Sequence, residues 1–157
     1  MSTRQYRKLI RQAEVGYEAG NFQKASSLFE EAFSHHIELD DYISYGFVKL
    51  EMDRTYESEV IFNEVLDEVE HPSAIYGLAI IDAKMGRNDA AIEKYKKLIY
   101  LKVEDPIIYK NIADLYDDLG YKDEAIHYYL KSVELKGDPF WPYTNIGAIY
   151  EEKNQNE

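Results

Sequence analysis

Residues 106–138 read PIIYKNIADLYDDLGYKDEAIHYYLKSVELKGD, and the fold is decided in this stretch. Two short amphipathic segments flank Gly120. The first sets Tyr109, Ile112, Ala113, Leu115 and Tyr116 at helical spacing, and the second sets Ala125, Ile126, Tyr129, Val133 and Leu135 at the same period. Asp105 and Pro106 open the stretch as an N-cap and a first-turn proline, where the absent N–H costs nothing. A helical hairpin of this length cannot bury its apolar face alone, so it must stack on neighbours.

The neighbours are copies of it. A small residue in the first segment recurs as Ala13, Gly46, Ala79, Ala113 and Gly147, at steps of 33, 33, 34 and 34 residues. The second segment repeats its small residue as Ala25, Ser58, Ala91 and Ala125, each followed four residues later by a ring: Phe29, Phe62, Tyr95 and Tyr129. The break between segments is Gly20, Gly86 and Gly120, with Asp53 in the second copy. Three columns sharing one period predict a stacked helical array.

The pattern resembles the tetratricopeptide repeat. The fourth copy carries it most fully, with Tyr109, Ile112-Ala113, Tyr116, Ala125 and Tyr129, departing at Ser132 and Gly137. The third keeps Ile75, Leu78-Ala79, Ala91 and Tyr95 but has Asp82 and Leu98; the first keeps Ala13, Ala25, Phe29 and Ala32, with Gly16-Tyr17 moving the tyrosine by one. The second keeps Tyr45-Gly46, Ser58 and Phe62. The resemblance implies an all-α fold, a right-handed α-solenoid of stacked antiparallel helix pairs. A single array over 1–157 is expected, with repeats at 6–38, 39–71, 72–105 and 106–139 and one more helix at 140–153. Within it the helices are expected near 4–18, 22–38, 40–51, 55–69, 72–85 and 88–101. Repeat two is expected to be the softest, since Asp53 and Ser58 weaken two of its columns. The last helix is either a cap or the start of a longer array. Ile149, where a partner helix would sit, favours the second.

Charge narrows the partners. The chain carries 30 acidic and 18 basic side chains, a formal charge of −12, and residues 25–70 alone hold thirteen of the acidic ones against two basic. Such a field repels phosphate backbones and favours basic partners, so nucleic acid is not expected. With no cysteine there is neither a disulfide framework nor a thiolate metal site. No signal-like h-region and no membrane-length apolar run are visible, and a cytoplasmic protein is expected.

Catalytic constellations are absent from the sequence: it has no glycine-rich phosphate loop, no GxSxG and no thiol nucleophile. His35-His36 before Asp40-Asp41 is the one conceivable metal cluster, but adjacent helical histidines point apart. Neither an enzyme, a metal nor a cofactor is expected.

The resemblance also implies a concave groove lined by the first helix of each repeat. Carried across, it names Ile10 and Tyr17, then Ile43, Phe47 and Leu50, then Tyr76 and Ile80. Lys110, Asp114 and Asp117 follow in repeat four, and Trp141 on the last helix. The middle of that strip is apolar and aromatic and its end acidic, which suits a peptide or protein segment with apolar anchors and basic flanks. Members that clamp the acidic tails of heat-shock chaperones use Lys and Asn at positions that here hold Ile10, Glu14, Ser44, Tyr76 and Ile80, so no carboxylate clamp is present. The expected function is a non-catalytic protein-interaction scaffold. The alternatives are a targeting or regulatory segment of a larger enzyme, or an array that self-associates through its terminal helices.

Overall fold

The computed structural model describes residues 1–155, and among them every regular element is an α-helix. They are α1 (Thr3–Glu18), α2 (Phe22–Phe33), α3 (Leu39–Glu51), α4 (Thr55–Glu68), α5 (Pro72–Lys84), α6 (Asn88–Tyr100), α7 (Pro106–Asp118), α8 (Lys122–Glu134) and α9 (Phe140–Gln155). Local chemistry fixes the ends. Ser2 and Gln5 form a reciprocal capping box on α1, Asn21 caps α2 through the Lys24 N–H, and Asp105 caps α7 ahead of Pro106. The expected breaks all take the left-handed conformation: Gly20, Gly86 and Gly120 at φ 71°, 73° and 82°, and Asp53 at φ 60°. Each closes its helix with the same bond, from the next residue's N–H back to the carbonyl of Gly16, Lys49, Asp82 or Tyr116, at 2.8–2.9 Å.

α2 stops at Phe33, five residues short of the expected end. Ser34 turns its hydroxyl onto the Glu31 carbonyl at 2.7 Å, and the following linker is pinned by Tyr6. That buried phenol accepts the Glu38 N–H at 3.2 Å and donates to Asp41 at 2.6 Å. A helix continued through residues 34–38 would lose this anchor.

The helices gather into two compact units, Met1–Ile81 and Asp82–Glu157, divided inside α5. In the first, α1 packs on α2, α2 on α3 and α3 on α4. One core joins Tyr6, Ile10, Ala13, Ala25, Phe29 and Val48, and another joins Ile43, Leu50, Phe62, Val65, Leu78 and Ile81. Phe62 is the keystone of the latter. A Cβ on Gly46 would lie 2.7 Å from its ring and one on Gly77 only 2.3 Å, so both positions exclude even alanine without movement. Ser58, expected to weaken this repeat, is fully buried and donates to the Gly46 carbonyl at 2.8 Å, tying α4 to α3.

In the second unit α6 packs on α7, α7 on α8 and α8 on α9. Ala113, Ala125, Tyr129 and Ile149 form its core cluster. Ile149 is 1% exposed, so it does not need the partner helix expected for it. The open side of α9 is instead the one bearing Phe140, Tyr143 and Tyr150, each more than half exposed, and a Cβ on Gly147 would meet nothing within 4 Å.

Candidate binding surface

The expected groove residues divide sharply. In the first unit Tyr17, Phe47, Tyr76 and Ile80 are half-buried. Tyr17 and Phe47 line a recess of about 350 Å³ together with Glu14, Ser44, Phe29 and Val48, and the Phe47 and Tyr76 rings follow at 6.4 Å between centroids. Ile10, Ile43 and Leu50 are corrections: at 7%, 4% and 9% exposed they belong to the core. The cause is packing depth. Ile10 is held among Tyr6, Ala13 and Phe29, while the Gly46–Phe62–Gly77 approach draws the surrounding helices over Ile43 and Leu50. These three support the wall and cannot meet a guest.

The second unit offers a polar surface. Lys110 pairs with Asp114 at 2.6 Å, and Lys122 bridges Asp117 at 2.7 Å and Glu152 at 2.9 Å. Asp114 also accepts the Tyr129 hydroxyl at 2.6 Å, which in turn accepts from Asn145 at 2.8 Å. Asn111 likewise donates to the Tyr95 hydroxyl at 3.1 Å. The acidic end expected for a basic flank is therefore largely balanced by its own lysines. The Asp117 and Glu152 hydrogen bonds hold the Lys122 ammonium above the usual lysine value, against a small opposing effect of burial. Trp141 is 56% exposed, edge-on to Phe140 at 5.1 Å.

Two buried charges were not singled out as sites. Where the fourth repeat has Tyr116, the second has Lys49 and the third Asp82, 3% and 5% exposed. Lys49 reaches Glu30 at 3.1 Å and Glu57 at 3.0 Å and lies 4.7 Å from the centroid of the Tyr45 ring. Burial pushes its ammonium pKa down, but the hydrogen bonds it shares with Tyr45, Glu57 and Glu30 outweigh that and leave it above the ordinary value. The Tyr45 hydroxyl and then Lys49 and Ser26 hold Glu30 below the carboxylate range despite burial. Asp82 is satisfied by Arg87 at 2.6 Å and Lys94 at 2.5 Å. Their shared register, Asp82 one period and Lys49 two periods before Tyr116, is the sequence signal that could have found them.

Among the described residues no group of three or more His, Cys, Asp or Glu side chains could hold a metal, and no helix is long and apolar enough to cross a membrane. His36 pairs with Glu38 at 3.8 Å, and His71 accepts the Ser73 N–H at 3.2 Å, helping to start α5.

Residues 108–139 match the tetratricopeptide repeat family model. Among solved structures, MamA (residues 41 to the end) from Desulfovibrio magneticus RS-1 superposes with a TM-score of 0.80 at 16% identity, over 96% of this chain and 86% of that one. A crystal structure of MamA protein gives 0.78 at 18%, over 98% and 85%. A tetratricopeptide repeat protein from Parabacteroides merdae ATCC 43184 gives 0.77 at 16%, over 98% of this chain and 61% of that one. These likenesses establish the fold as an α-solenoid of helix pairs. No curated protein matches the sequence.

Proposed function

We propose that this chain, whose residues 108–139 match the tetratricopeptide repeat family model, is a non-catalytic scaffold holding a segment of another protein on the first helices of its repeats. The observation that carries this is the half-buried strip of Tyr17, Phe47, Tyr76 and Ile80 beside a recess rimmed by Glu14 and Glu18. Rings that are partly fixed by packing offer contact area at little entropic cost. The adjacent carboxylates favour an apolar anchor followed by a cation. The strip is narrower than the sequence suggests, because Ile10, Ile43 and Leu50 stand behind it.

The test is the double variant Phe47→Glu/Tyr76→Glu. Partners captured by the wild-type protein should be lost, with the helical circular dichroism unchanged. Capture that survives both charges would remove this wall from consideration.

A second reading, self-association, draws on the open side of α9, where Phe140, Trp141, Tyr143 and Tyr150 are each more than half exposed. Light scattering across concentrations separates it from a monomer, and Tyr143→Glu/Tyr150→Glu should abolish any association through α9.

A further inference from the structure

A larger recess lies elsewhere in the first unit. Ile37, Leu39, Tyr42 and Val65 line a hollow of about 530 Å³, with Ile37 51% exposed at its lip. The rest of its lining is acidic: Glu64, Asp67 and Glu68, from the last turns of α4. Tyr42 donates to Glu64 at 2.5 Å, which sets that side of the opening. Tyr42 precedes Phe47 by five residues on α3, a rotation of roughly 140° at 3.6 residues per turn. The hollow and the Phe47 strip therefore face different ways.

Its charge is uncompensated. The last turn of α4 contains no basic residue, so two carboxylates sit at a helix end that is already negative. Asp67 and Glu68 meet no Lys or Arg among the described residues. Lys49 is committed to Glu30 and Glu57, and Arg54 to Glu57. An apolar hollow with a negative lip selects one kind of guest. It accepts a bulky apolar side chain whose neighbour is cationic, and it rejects an acidic segment or a nucleic acid.

We propose that this hollow is a second docking site, taking an extended protein segment that lays an aliphatic or aromatic side chain against Ile37, Leu39 and Tyr42 and a lysine or arginine against Asp67 and Glu68. It is independent of the α1–α3 wall, so each surface can fail without the other.

Fluorescence anisotropy tests it with a labelled peptide, Gly-Lys-Ile-Arg-Leu-Lys-Gly, blocked at its far end. Saturable binding is expected, weakened roughly tenfold or more when the peptide's Ile and Leu become Ala. The same loss is expected in the exposed, fold-neutral protein variant Asp67→Lys/Glu68→Lys, and raised salt should weaken the wild-type complex. Phe47→Glu/Tyr76→Glu should bind as tightly as wild type. Equal affinity in Asp67→Lys/Glu68→Lys, absence of binding, or loss confined to the Phe47→Glu/Tyr76→Glu variant would each overturn the assignment. So would a concentration-dependent dimer dispersed by Asp67→Lys/Glu68→Lys, since the occupant would then be a second copy.

Discussion

The two units solve one packing problem with opposite chemistry. In each, a ring from the second helix of a hairpin must fill the space below the first helix of the next. In the first unit Phe62 does so dry, pressed against Gly46 and Gly77. In the second Tyr129 does so with its hydroxyl engaged by Asp114 and Asn145. The partner position follows the ring: Phe62 precedes Gly77 by fifteen residues, while Tyr95 and Tyr129 precede Asn111 and Asn145 by sixteen. A dry joint gains from close approach and tolerates no polar atom; a bonded joint tolerates distance but leaves an orphan if one member is removed.

The largest effect should come from the dry joint. Phe62→Ala is expected to lower stability by about 3–5 kcal/mol, read as a fall in the urea midpoint, because the glycine-lined space cannot collapse fully. The bonded joint should lose less: Tyr129→Phe removes no volume but strands Asp114 and Asn145 from their hydroxyl, at about 1.5–3 kcal/mol. If Tyr129→Phe were neutral, the hydroxyl network would be ornament and the contrast would fall.

The glycines sharpen it further. Gly77→Ala drives a methyl into the Phe62 ring and should cost about 1–3 kcal/mol. Gly147→Ala, in open space within α9, should instead stabilise by up to about 1 kcal/mol through helix propensity. Thermal midpoints moving the same way for both would contradict the packing described.

The smallest effect at neutral pH is expected at Lys49. Lys49→Met keeps an unbranched apolar stem while removing the ammonium that lies over Tyr45, and should change stability by no more than about 1 kcal/mol at pH 7. Its signature lies in acid. Glu30 and Glu57 titrate below their unfolded value of about 4.3, so their contribution is full above that pH and lost as pH falls through the folded pKa. Lys49 is the leading cause of the Glu57 shift and a secondary one at Glu30, so Lys49→Met should flatten the acid limb of stability against pH. Urea titrations at several pH values read this directly.

Much of the fold was legible because its columns are made of residues whose size or backbone conformation is the reason for their presence. Gly20, Gly86, Gly120 and Asp53 all occupy the left-handed turn that their column predicts. Depth was not legible. Helical periodicity says which face a residue occupies, not how far a neighbouring helix overhangs it, and so Ile10, Ile43 and Leu50 read as wall although they are core. The same blindness placed Ile149 on an open side when Tyr143 and Tyr150 hold that position. Neither Lys49 nor Asp82, the latter visible only as a departure from the repeat pattern, reads as buried, because a charged side chain in a helix reads as solvated and only the hydrogen-bonding partners around each make its burial tolerable.

The wedge formed by Phe62 has an evolutionary corollary. Changing it to tyrosine strands a phenol opposite Gly77, and changing Gly77 to asparagine first collides with the ring. Either order of substitution crosses a valley, so dry and bonded joints are poor mutational neighbours. Lineages should exchange the ring and its opposite number together, and drift should rarely turn one kind into the other.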